Sequence, residues 1–599
     1  MGDYLVVARP ALDETAHGLS LQLKDQARTE GWRVRDLNAY AWLADHGPGA
    51  LMTRDVGAWT LIGDVFNRNS PVPPHTVAND PWAYERKLIA RFWGRFIGIS
   101  FRPDHQLAAL LRDPSGAREC VAWTGGGLNF VSSSAPDWLI RQLRPAWRID
   151  VERLATTLHD PVAATGPLLL DGPLALEPGT LQPFPLERPS VILWRPTDIA
   201  RRSLLRPPSI DDAALGLREA IDETVGGLRS LPGPIAAEVS GGLDSSIVAA
   251  SLVRSDADSI KLWINACGST PEADERSYVE ALGEKLGFEP LLAPHATGAM
   301  SAKGLEGASQ DFRPGLNGLD QAHDADWADR LTRAGVAAVM TGKGGDSILL
   351  QRATPAVFAD LWNARGWLAL GSSDVHELAA ANECSIWSMI SLAMRHRRRG
   401  HVWPVRNHPL LSALSTLPIV HPWLADCEAF GPAKALQIAG VADSVSRHGP
   451  SMLTKSIDVR HPLCAQPVVE ACLALPTSLL TTGGRDRGLA RRAFQDRLPL
   501  QILNRRSKGD MTSIYGRMIF DNLKVLRPWL LEGRLAALGV IDRVGAEQQL
   551  THEALLWRGG YSTIMVAAAY EGWVRAWEGR LGPASRRLGD PRASSKANP

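Results

Sequence analysis

Ile235-Ala236-Ala237-Glu238-Val239 runs directly into Ser240-Gly241-Gly242-Leu243-Asp244-Ser245-Ser246, and Ile247-Val248-Ala249-Ala250 follows. The order is a short apolar strand, a glycine-containing turn and the opening of a helix. Such a turn aims several backbone N–H groups and a helix N-terminus at one point, while its glycines let an anion come close to the backbone. The expected ligand is phosphate. The turn lacks the G-K-[ST] of a Walker A loop. Asp244 stands instead where a carboxylate would ligate a Mg²⁺ bridging phosphates, and Ser240, Ser245 and Ser246 can donate to pyrophosphate oxygens. The competing reading is a helix cap in which Asp244 only complements the helix dipole.

A second turn of the same kind lies downstream. The apolar run Val336-Ala337-Ala338-Val339-Met340 ends in Thr341-Gly342-Lys343-Gly344-Gly345-Asp346, again a strand end followed by glycines and one carboxylate. Open α/β sheets bind ligands at the carboxyl ends of their strands, so Asp346 is expected to meet Asp244 across a shared Mg²⁺. Val239, Asn265, Thr341 and Gly342 are assigned to the same nucleotide-binding set. Lys343 is either a further phosphate contact or a solvated loop lysine.

Around these turns, helical patterns over 213–228, from 243 and over 274–286 alternate with strand-like runs at 235–239, 260–266 and 336–340. That alternation predicts a parallel sheet with crossover helices. Beyond about residue 370 helices dominate. The first 190 or so residues carry short apolar runs at 4–8, 59–62, 96–100 and 107–111, separated by turn residues, and read as strand-rich. Between them, 195–210 is rich in Arg and Pro and reads as a linker. The expected organisation is α+β then α/β: a first domain over 1–200, a second over 209–580, and a flexible tail over 582–599.

Composition narrows the function. Across 599 residues, Lys+Arg is 65 and Asp+Glu 64, a net charge of +1 that offers no general pull toward nucleic acid or an anionic membrane. The six cysteines show no zinc-ligand spacing, and neither a secretory signal nor an apolar run of about 18 residues is found. The expectation is a cytoplasmic protein with no nucleic-acid partner and no membrane.

The S-G-G-x-D-S string resembles the pyrophosphate loop of ATP pyrophosphatases that release AMP. Further strings, Ile457-Asp458-Val459-Arg460-His461-Pro462-Leu463, Val468-Val469-Glu470, Arg491-Arg492-Ala493-Phe494 and Arg505-Arg506-Ser507-Lys508-Gly509, resemble the C-terminal half of the asparagine synthetase family. The resemblance implies ATP and Mg²⁺ as cofactors, and Lys508 as the cation that stabilises charge while an acyl adenylate collapses. Attack on an adenylate builds an oxyanion beside a departing phosphate, and fixed positive charge in a water-poor site lowers that barrier.

The N-terminal half resembles the glutamine amidohydrolase domain of the same family in Leu61-Ile62-Gly63-Asp64-Val65-Phe66-Asn67, Gly94-Arg95-Phe96-Ile97-Gly98 and Arg112-Asp113-Pro114-Ser115-Gly116-Ala117-Arg118. This implies an amidohydrolase-like (Ntn) β-sandwich. Residues 1–4 contain no Cys, Ser or Thr nucleophile, and Ile62 replaces the oxyanion-hole Asn, so glutamine hydrolysis is not expected.

Within the family, such losses resemble the β-lactam synthetases and the lasso-peptide macrolactam synthetases. Both activate a carboxylate with ATP and close a ring onto an amine of the same substrate. Lys343 fits neither the aminating nor the β-lactam branch, and the doubled glycine Gly344-Gly345 is more similar to the lasso branch. That resemblance implies a precursor or core peptide as substrate, with a leader-peptide protease and a leader-recognition partner. Glu377 and His376 are candidate assistants of the amine, or ordinary helix-surface residues. The basic run 395–401 and the 20 tryptophans are candidate peptide contacts, or a solvated helix end and core. Three alternatives stand beside the macrolactam reading: an ammonia-using asparagine synthetase, a β-lactam synthetase, and a noncatalytic peptide-binding scaffold.

Overall fold

A computed structural model describes residues 2–69, 80–256, 260–268, 274–351, 353–399, 407–414, 420–505 and 512–582. The nucleotide-binding half is built on a five-stranded, wholly parallel sheet. Its spatial order is Pro290–Pro294, Ile260–Cys267, Ile235–Glu238, Ala338–Met340 and Asp458–Arg460. The Ile235–Glu238 strand is central because both of its faces are apolar and buried. Ala237, Ala338 and Met340 face one helical layer, which includes Ile210–Arg229, Leu243–Asp256 and Arg276–Leu286. Ala236, Ile264, Val339 and Val459 face the other, formed by Gln321–Arg333 and Met452–Ser456. All five strands therefore end at one edge, and both glycine turns leave from that edge.

Two strands of this sheet and a long helix packed on it were not anticipated. Pro290–Pro294 carries a proline at each end and sits at the sheet margin, where a missing N–H is tolerated. Asp458–Arg460 has only three residues and depends on its neighbours for its identity as a strand. The helix Gln321–Arg333 reads as polar along the chain, yet buries Trp327 and Leu331 against the sheet.

The N-terminal half contains two six-stranded antiparallel sheets packed face to face. Tyr4, Val6, Ala41 and Leu43 of one interdigitate with Ile62, Ile97, Ile99 and Leu110 of the other, the period-2 alternation of a sandwich. The outward residues are buried as well. Leu5 and Val7 join a core containing Trp573 and Trp577 of the C-terminal helix Tyr561–Leu581. Leu61, Phe96 and Leu111 join one containing Leu217, Ile221 and Val225 of Ile210–Arg229.

The Arg/Pro segment expected as a linker is folded. Pro196–Ala200 forms a short helix with Thr197, Ile199 and Ala200 buried, and Arg201–Leu204 continues as a 3₁₀ turn. Pro196 occupies the first turn of that helix, where a proline's missing N–H costs little. Among the described residues no helix is long and apolar enough to cross a membrane. Of the expected tail over 582–599, residues 583–599 lie outside the described residues.

Candidate functional site

The serine-glycine turn is held by its own hydroxyls. The Ser240 N–H donates to Ser245 Oγ at 3.0 Å, the two serine hydroxyls lie 3.1 Å apart, and Ser246 Oγ donates to the Gly242 carbonyl at 2.8 Å. Asn265, 1% exposed on the neighbouring strand, donates from Nδ2 to the Val239 carbonyl at 2.7 Å and fixes the strand end from which the turn departs. From the far side, Arg505 Nη1 reaches the Gly241 carbonyl at 3.1 Å, pairs with Glu275 at 2.7 Å and lies over the Tyr278 ring.

The second turn docks onto the first, and two glycines permit it. A Cβ on Gly342 would lie 2.4 Å from the Ser245 nitrogen, and one on Gly345 would lie 2.5 Å from Asp244 Cγ. No side chain larger than hydrogen fits at either place. Thr341 Oγ1 sits 2.7 Å from His461 Nδ1 and accepts the Lys343 N–H at 3.2 Å. Burial, reinforced by His448 and Lys343, holds His461 neutral, well below the usual imidazole range. The Lys343 side chain is exposed at the turn.

This docking brings Asp244 and Asp346 together. One nitrogen, Arg487 Nη1, contacts Asp244 Oδ2 at 2.8 Å and Asp346 Oδ1 at 2.8 Å. Arg487 is 5% exposed and also pairs with Asp486 at 3.0 Å. Burial opposes its charge, but the carboxylates of Asp244, Asp346 and Asp486 outweigh burial and raise its pKa. The donor chemistry fits a Mg²⁺: two carboxylates from different turns converge on one cationic position, beside backbone N–H groups suited to phosphate. Asp244 and Asp346 would hold the ion, with Arg487 moving aside or sharing the carboxylates.

Sequence reasoning missed Arg487. It lies in Gly483-Gly484-Arg485-Asp486-Arg487-Gly488, a string with turn chemistry but no recognisable ligand spacing. Glu377 and His376 are exposed on the Ser373–Ala381 helix, whose backbone at Glu377 packs against Gly484, three residues before Arg487. Lys508 lies outside the described residues, but Arg505 of the same string is at the turn. Of the basic run, Arg395 is exposed and His396 half-buried, while Gly400 and His401 lie outside the described residues. Most of the described tryptophans are core residues; Trp367, Trp387 and Trp557 are exposed.

A family model described as asparagine synthase matches residues 216–575, from the helix preceding the serine-glycine turn to the C-terminal helix. No curated protein matches the chain.

Proposed function

We propose, for a chain that belongs to the asparagine synthase family and is on that ground an ATP-dependent amide-bond ligase, a role in closing a macrolactam ring on a ribosomal peptide. In this reading an Asp or Glu side-chain carboxylate of the core peptide attacks the α-phosphorus of ATP. Pyrophosphate leaves, and the peptide's own α-amine captures the acyl adenylate and displaces AMP.

The observation that carries the reading is the convergence of Asp244 and Asp346 on one cationic position at the strand ends. Mg²⁺ bound there would neutralise the polyphosphate. Val239, Asn265 and the serine-glycine turn, with Thr341 and Gly342, shape the bed for the nucleotide. Lys343 and Lys508 are the proposed cations for the developing charge. Holding amine and adenylate in one pocket converts a bimolecular step into an intramolecular one, which lowers the barrier by up to roughly 7–11 kcal/mol. An amine supplied by the substrate is favoured by Ile62, fully buried where a hydrolase needs an oxyanion donor.

The precursor peptide is the proposed partner, with a leader protease and a leader-recognition protein preparing it. The test is to incubate the protein with Mg·ATP and synthetic peptides bearing a free α-amine and one Asp or Glu at varied spacing. AMP, pyrophosphate and a product one water lighter are expected, and Asp244→Ala should abolish pyrophosphate release. Turnover of aspartate and ammonia alone would overturn the peptide reading.

A further inference from the structure

A second group of ionisable side chains gathers at the same sheet edge, on the face opposite the helix that follows the serine-glycine turn. Glu238 ends its strand two residues before Ser240. It shares the alternation of Ala236, so it faces the layer of Gln321–Arg333. That helix leads back into the sheet, which places its first turn, with His323 and Asp324, at the carboxyl edge. His295 follows the margin strand Pro290–Pro294. Its side chain is 5% exposed, and Nε2 lies 2.9 Å from Asp320 Oδ2. The His295 and His323 rings stack at 4.2 Å.

Three features mark this recess as a binding place rather than a structural network. His295 Nδ1, His323 Nδ1 and Asp324 Oδ2 are buried without a hydrogen-bond partner, while the Asp324 side chain, 9% exposed, also hydrogen-bonds Ser451. Buried polar atoms are normally satisfied, so such a set invites a ligand. Among the described residues Glu238 has neither an ion-pair nor a hydrogen-bond partner, and Lys343 at the mouth exerts an attractive field on both Glu238 and Asp324. Burial, and then the charges of Asp320, Asp324 and Glu238, push the phenol of Tyr515, 37% exposed, above its ordinary range, so Tyr515 lies within the field of the same carboxylates.

The balance of charge specifies the ligand. Glu238, Asp320 and Asp324 face the Lys343 ammonium and the His295 imidazole that pairs with Asp320, and burial together with His295 lowers the His323 pKa to about 4, so that ring adds no positive charge at neutral pH and the carboxylates keep the excess. Among the described residues, no group of three or more His, Cys, Asp or Glu is arranged to hold a metal. The recess suits an organic cation beside the nucleotide turn.

We propose that this recess receives the attacking amine of the substrate, with Asp320 and Asp324 drawing it in as an ammonium and Glu238 accepting its proton during attack. The inference rests on the ligase reading above and names the acceptor side of that same site. The bound ammonium passes one proton to an Asp324 carboxylate oxygen, which returns it to solvent. The nitrogen lone pair then forms the C–N bond at the adenylate carbonyl, and a second N–H proton passes to a Glu238 carboxylate oxygen. The bond from that carbon to the phosphate oxygen breaks with its electron pair leaving on AMP, and Glu238 returns its proton to solvent. Burial raises Glu238 above the usual carboxylate range and Asp324 to about 6, which makes each a better acceptor than a solvated carboxylate.

Two measurements test this. The first uses glycinamide, an α-amine without a carboxylate, titrated into the Mg·ATP-loaded protein by calorimetry. Saturable binding is expected, weakened at least tenfold in the Glu238→Gln, Asp324→Asn double variant. Absence of binding to the wild type, or equal binding to both, would overturn the inference without touching the nucleotide site. The second compares Glu238→Gln with wild type on the peptides described above. Peptide-dependent ATP–pyrophosphate exchange is expected to persist while ring closure falls about 100-fold, the scale of a lost general base, and to recover partly as pH rises through the amine pKa. Equal loss of exchange and closure would return Glu238 to a structural role. If glycinamide binds and the double variant weakens it while no peptide yields AMP, the acceptor pocket stands and the macrolactam reading falls.

Discussion

Arg487 is the residue on which the two aspartate turns meet, and its position makes the site's demand for positive charge measurable. Replacing Arg487 with Met leaves the buried Asp244 and the partly exposed Asp346 facing each other. Breaking a buried pair by removing one partner costs about 3–5 kcal/mol. If the place is a cation site, Mg²⁺ should restore part of that loss. Denaturant midpoints measured with and without Mg²⁺ should show a larger Mg²⁺-dependent gain for Arg487→Met than for wild type, up to roughly 2.7 kcal/mol at a hundredfold excess over Kd. Equal gains would argue against metal at these carboxylates. The two aspartates were legible because each follows a strand end and a glycine. Arg487 was not, because nothing in its local string marks it as the counter-ion of residues more than a hundred positions away.

At the scale of elements, the short strand Asp458–Arg460 shows how the N-terminal sandwich supports the nucleotide sheet. Arg95 donates to both oxygens of Asp458, at 2.9 and 3.0 Å, and to Asp64 at 2.7 Å. Burial alone would raise the Asp458 pKa, but Arg95 and then Arg460 hold it well below the usual carboxylate range. The Arg460 carbonyl in turn accepts the Thr341 N–H at 3.1 Å, so the chain of contacts ends on the second glycine turn. Arg95→Met should therefore destabilise the fold by about 3–5 kcal/mol in chemical denaturation and also lower pyrophosphate release. Full catalytic rate in a destabilised variant would break the proposed link. Asp64 and Arg95 came from strings that resemble an amidohydrolase; here they perform a mechanical task. A three-residue strand has no readable period, so only its neighbours identify it.

For the whole molecule, the outward faces of the sandwich are covered by the C-terminal half, which makes the two halves one folding unit in practice. Asp311 sits on that seam. Its side chain accepts N–H groups of Ala135 and Phe312, and its carbonyl accepts the indole N–H groups of Trp573 and Trp577. A cavity of about 340 Å³ beside it is lined by Asp3, Arg118 and His448 among others. Burial, helped by the charge of Asp3 and opposed by its hydrogen bonds and Arg580, raises Asp311 from 3.8 to about 7. Between those values the folded protein keeps a proton that the unfolded chain releases. The contribution of this group to stability is therefore fully present below pH 4 and is lost as pH rises through 7. Melting temperatures across pH 5–8 should fall less steeply for Asp311→Asn than for wild type; parallel curves would mean that Asp311 does not titrate there.

What the chain determined by itself was local: the strand-turn-helix unit that begins at 235, the strand and glycine turn at 336–346, the alternation that makes a parallel sheet, and the strand-rich runs of the first half. These follow from side-chain period and glycine placement within a dozen residues, where neighbours along the chain are also neighbours in space. Tertiary structure decided the rest. It set Arg487 between two aspartates, Glu238 within the field of His295 and Lys343, and a linker-like segment into a packed helix. Each of those outcomes depends on which distant surfaces are buried together and on the field that burial creates, and neither quantity exists until the chain has closed on itself.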